Sequence, residues 1–306
     1  MSSLQVFDAR LSQLAQGAGT LERLCGGARW SEGPVWLPQS GQLLWSDIPN
    51  NRILSWHSQH GMRVWRDPAG FTNGHVLDRG GDLLHASHGQ RAIVRTQLSP
   101  TGEPMGDEVV VDRFQGLRLN SPNDLVVKSD GSIWFTDPPY GIVSDLEGYP
   151  APSEIGANHV YRYCTRTHVL SIASDWLEEP NGLAFSPDES MLYVSDTSAA
   201  LRQDGSGHHH IVAFQVDGTL LRQPRVLAVI SPGLADGLRV DVHGFIFTSS
   251  ADSVQIFHPD GTPMGRIPVP EKVGNLCFGG PSGNELFICA STSLYRIRLN
   301  TRGATA

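Results

Sequence analysis

Short apolar runs fill the chain, and most of them have the period of a strand. RILSW, AIVRT, HVYRY, HIVAFQV, SVQIFH and SLYRIRL alternate apolar with polar positions, the mark of a strand with one face buried. SDG, PDES, VHG and PSGN stand between such runs and favour turns. No stretch within these units reads as a long helix.

A second pattern lies over the first. A polar residue, in most copies followed by Gly or Asp, precedes an apolar strand; a turn follows, then another apolar run ending on Asp or Ser. The pairs are EGPVWL with LLWSD, NGHVLD with LLHAS, NDLVVK with IWFTD, NGLAFS with LYVSD, DGLRVD with IFTSS, and GNLCFGG with LFICAS. Their leading polar residues are Glu32, Asn73, Asn123, Asn181, Asp236 and Asn275.

About four strands per copy and six copies predict an all-β fold, a six-bladed β-propeller with four-stranded antiparallel blades. A β-sandwich would explain the strands and turns but not a pair recurring six times in phase. TLERLCGGA, residues 20–28, is expected to supply the strand that closes the last blade. The reading is one domain over residues 1–306, with 1–19 a peripheral segment holding a short amphipathic helix. Insertions 141–158 and 198–210 read as surface loops; His208–His210 in the second could bind metal, but in a Gly/Ser loop reads as a solvated run.

The first strand of a propeller blade lines the central channel, so residues in one repeat phase converge on the axis. Polar groups there are costly unless partnered. The six leading residues offer two carboxylates and several amide oxygens, with no Cys or His. Such hard donors suit Ca²⁺ rather than copper or a zinc site of the usual kind. Any one Asn-Gly is a common turn dipeptide; six in phase, including Glu32, point to a shared axial site.

Composition removes several classes. A net charge of −8 over 306 residues leaves no basic footprint for nucleic acid. No apolar run spans a bilayer, and the first residues lack a signal-peptide pattern. Cys25, Cys164, Cys277 and Cys289 show no metal spacing and read as small buried hydrophobes. A reducing cytoplasm fits, and a homodimer is left open.

SEGPVW, LNSPNDLVVKSDGSIWFTDPPYG, PNGLAFSPDESMLYVSD and ADGLRVDVHG resemble the SMP-30/gluconolactonase/luciferin-regenerating-enzyme family over residues 21–302. The bacterial gluconolactonases are the branch most resembled. The resemblance implies a hydrolase that opens sugar lactones with one divalent cation, usually calcium, in the channel. Its metal ligands fall on Glu32, Asn123, Asn181 and Asp236, and Asp236 also takes the part of general base. Exchange of Ca²⁺ for Zn²⁺, Mn²⁺ or Mg²⁺ is left open. Related animal enzymes carry an arginine just before the metal-binding asparagine; Ser121 and Pro122 stand there instead, which separates this pocket from theirs.

Asn73 and Asn275 share the axial phase without being expected ligands. Asp137, Tyr140 and His88 sit where second strands end near the channel mouth. All five are candidates for substrate contact. Two rival functions remain: aryl- or phosphoesterase chemistry on the same ion, and a non-enzymatic scaffold propeller pinned by structural calcium.

Overall fold

The computed structural model describes residues 3–202 and 204–304. Six small antiparallel sheets stand in a ring, the six-bladed propeller predicted. The first four blades are each built from chain neighbours. In the first, Ser31–Leu37, Gln42–Asp47, Arg52–His57 and Gly61–Arg66 follow one another in sequence and in space. Each blade's first strand touches the first strand of the next, and the sixth, Val273–Gly279, returns to Ser31–Leu37. The first strands therefore form a closed inner wall.

The ring is fastened where expected. Glu22–Gly26 pairs antiparallel with Ser293–Arg298 and becomes the outermost strand of the sixth blade. The segment before it is more firmly docked than a peripheral tail. Gln5–Val6 adds a fifth strand to the fifth blade beside Pro263–Pro268. Leu4, Leu11 and Leu14 pack into the cluster around Phe245, Met264 and Ile267. The first helical turn starts where the Asp8 carboxylate accepts from Arg10 N, an N-cap.

Apolar clusters join one blade to the next. Trp134 of the third blade is fully buried and meets Phe185 of the fourth edge to face, ring centroids 5.6 Å apart. Burying one such side chain stabilises by about 2–3 kcal/mol, and the contact exists only when both blades are in place. All four cysteines are free, with Cys277 and Cys289 buried among apolar neighbours.

Candidate functional site: an axial polar cavity

The backbone explains how the leading polar residues reach the axis. At Glu32, Asn73, Asn181 and Asn275 the register between first and second strands slips. A bulge of this kind re-aims one side chain away from the ladder.

The adjoining glycine is not a turn residue. A Cβ added to Gly182 would lie 2.4 Å from Asp236 O, and one on Gly237 2.2 Å from the Asn275 side chain. Only hydrogen fits where neighbouring inner strands approach so closely. Across that gap Gly182 N donates to Asp236 O at 3.1 Å. The repeated polar-Gly pair is a signature of the ring: one residue serves the axis and the other lets the strands meet.

Five of the six leading residues line one cavity of about 150 Å³: Glu32, Asn73, Asn123, Asn181 and Asp236. Trp30, Tyr140, Glu147, Thr197 and Lys272 complete much of its wall. Asn275 is buried one layer deeper and donates to Asp124 Oδ2 at 3.4 Å.

The third blade breaks the glycine rule. Asp124 occupies the place that Gly holds in the first, second, fourth and fifth blades and Leu276 in the sixth, and its Oδ2 pairs with Arg239 Nη1 at 3.3 Å. Asn123 lines the axial cavity, while Leu125 lines a second cavity of about 570 Å³ at the other end of the channel. The Asp124–Arg239 pair, with Asn275, therefore stands as a polar belt between the two.

Charge in the axial cavity is unbalanced. Burial pushes the Glu32 carboxyl well above the usual carboxylate range, and repulsion from Asp236 pushes it further. Burial raises Asp236 to about 6, against the pull of the Lys272 ammonium. Glu32 Oε2 accepts from Gly33 N at 3.0 Å, but Oε1 is buried with no hydrogen-bond partner, as is Asn73 Oδ1. Asn181 donates its amide to Thr197 Oγ1 at 3.1 Å, which leaves its carbonyl oxygen for the cavity. Orphaned acceptors, two mutually repelling carboxylates and an all-oxygen donor set fit a hard divalent cation.

The candidate substrate contacts divide. Asn73 and Tyr140 line the cavity, and Tyr140 Oη lies 2.6 Å from Thr197 Oγ1. Asn275, Asp137 and His88 do not line it, which corrects the mouth position expected for the last two. Asp137 is fully buried and its Oδ2 accepts from Asn120 N at 2.8 Å. Asp47 and Asp196 do the same for Arg29 N and Glu178 N. The Asp closing these second strands ties down the segment that leads into its own blade. His88 is likewise buried, its Nδ1 3.0 Å from Glu147 O.

Glu147 and Lys272 escaped the sequence reading. The 141–158 insertion is not only a surface loop: it folds back so that Glu147 reaches the cavity, where burial raises its carboxyl to about 7. Lys272 lies outside the repeat phase, three residues before Asn275, with its ammonium 5.0 Å over the Trp30 ring.

The family described as SMP-30/Gluconolactonase/LRE-like region matches residues 30–292. The chain belongs to this family. A gluconolactonase of Zymomonas mobilis is 33% identical, covering 97% of this chain and 86% of that one. Pentonolactonase XacC of Haloferax volcanii is 26% identical over 85% of this chain and 81% of its own. The solved structure of a Xanthomonas campestris gluconolactonase matches with a TM-score of 0.88 and 38% identity, over 97% of this chain and 94% of that one. No helix among the described residues is long and apolar enough to cross a membrane.

Proposed function

We propose that the protein is a hydrolase that opens sugar lactones in the axial cavity, with Ca²⁺ held by Glu32, Asn123, Asn181 and Asp236. The observation that carries this reading is the convergence of two carboxylates and several amide oxygens from separate blades, with Glu32 Oε1 and Asn73 Oδ1 left unpaired. Family relatives named gluconolactonase and pentonolactonase support the lactone as substrate class. A cavity of about 150 Å³ has the room of about five water molecules, suited to one small ring rather than a polymer.

A bound cation would supply positive charge that polarises a carbonyl and offsets the two carboxylates. The chain's own groups do the rest. Asp236 takes a proton from the attacking water, and the oxygen of that water adds to the lactone carbonyl carbon. The bond from that carbon to the ring oxygen then breaks, and the proton passes from Asp236 to that oxygen, which leaves as a hydroxyl. Glu32, more deeply buried, acts as ligand alone. Thr197 fixes the amide of Asn181, and the Lys272 ammonium helps keep Asp236 ionised.

The decisive assay is acid release from glucono-1,5-lactone with and without chelator. Turnover that needs added Ca²⁺ is expected. A calcium-loaded protein that opens no lactone in a panel of aldonolactones would refute the reading.

A further inference from the structure

A different donor set lies in the fourth blade. His208 and His210 stand either side of His209, and their rings stack with centroids 4.5 Å apart at 27°. His209 turns elsewhere, its Nδ1 2.7 Å from Ile230 O. His208 Nδ1 lies 2.9 Å from Oδ2 of the fully buried Asp196. His210 Nε2 is buried with no hydrogen-bond partner. One nitrogen from each ring and one Asp196 oxygen all fall within 4.8 Å of one another. Among the described residues no other His, Cys, Asp or Glu trio is so placed.

We propose that Asp196, His208 and His210 form a second metal site, selective for a borderline divalent ion of the Zn²⁺ type. Two imidazoles and a carboxylate suit zinc, whereas calcium seeks oxygen. Bonds of about 2.0–2.2 Å set tetrahedral ligand atoms roughly 3.4 Å apart, so the widest separation would close by about 1 Å while the His208–Asp196 pair, now 2.9 Å apart, opens slightly.

Asp196 is a rigid anchor, because backbone N–H groups of Glu178 and Glu179 already hold its carboxylate. Glu178 Oε2, 3.7 Å from His208 Nδ1, can enter as a fourth ligand. The ion would pin the 198–210 loop to the second strand of its blade. Thr197 and Ala200, at the start of that loop, line the axial cavity, so the clamp would stiffen one wall of it.

The two sites differ in donor chemistry, and that difference supplies the test. Protein held in excess Ca²⁺ is titrated with Zn²⁺ and followed by zinc X-ray absorption. The expected result is one Zn²⁺ per chain with two imidazoles in its shell, falling to none in His208→Asn/His210→Asn. Each single variant, H208N or H210N, should lose at least one imidazole from the shell, which serves as the reading should the double variant fold poorly. An oxygen-only shell, or imidazole scattering unchanged in these variants, would overturn the proposal. No step of this test depends on lactone hydrolysis.

Discussion

The two ends of the channel are cut from the same six strands yet are opposites. At one end the cavity wall presents Glu32, Asn73, Asn123, Asn181 and Asp236, the first, second and fourth of them aimed by bulges. A few residues further along those strands, Val35, Val76, Leu125, Ala184, Val240 and Cys277 line the larger cavity. The difference is one of polarity rather than size, since the larger space has the less chemistry in it. The wide opening is mostly apolar, and the acids on its wall are paired, Asp78 with Arg95 and Glu189 with Lys128. The narrow end has acids, amides and an ammonium in one small volume, where low dielectric strengthens each interaction.

The sharpest way to break this contrast is Asp236→Asn. Loss of the base and of one carboxylate ligand should reduce kcat for lactone opening by about 10²–10⁴-fold and weaken calcium binding, read by steady-state kinetics and calorimetry. Unchanged turnover would take Asp236 out of the chemistry.

Next comes the belt between the two ends. Arg239→Met strands the buried Asp124 carboxylate, and breaking such a pair costs about 3 kcal/mol or more. Chemical denaturation should register that loss. Adding Asp124→Asn to the same chain should recover part of it; a double variant no more stable than R239M would mean that the pairing is not what matters.

Proton linkage tests the polar end alone. Asp236 at about 6 and Glu147 at about 7 have unfolded values of 3.8 and 4.5. With pKa values raised by folding, these groups keep protons that the unfolded chain has released, so their contribution is full below pH 4 and is lost as pH rises through 7. A cation that favours their ionised forms reverses the penalty. The gap in Tm between calcium-loaded and chelated protein should therefore widen from pH 4 to 7, and a gap flat across that range would count against the site.

The smallest effect belongs to the apolar end. Val76→Ala should leave kcat and KM within about twofold and cost stability by about 1 kcal/mol. A large change in turnover there would erase the distinction between the two mouths.

Much of this contrast was legible in the chain, because repetition carries it. Glu32, Asn123, Asn181 and Asp236 stand out as polar groups in one phase of six copies, and the ring converts shared phase into shared location. The same device misleads at Asp137. That Asp also recurs, as Asp47 and Asp196, but the repeated job is a local tie to backbone N–H groups. A periodic residue can serve the blade as well as the axis, and sequence does not separate the two. Glu147 and Lys272 carry no periodic signal at all. One arrives on an insertion and the other from just outside the phase, so only the folded ring brings them in. His208–His210 looks like a solvated run until the fold sets Asp196 beneath it.

The seam between Glu22–Gly26 and Ser293–Arg298 has a consequence for how the protein is born. Arg23 lies 270 residues from Ser293, to which it donates. At about 5–20 residues per second, a ribosome needs tens of seconds to deliver the second half of that clasp. Until then the nascent propeller is an open arc whose two raw flanks can pair with a stranger. The slower the translation, the longer those flanks stand open before the clasp is delivered.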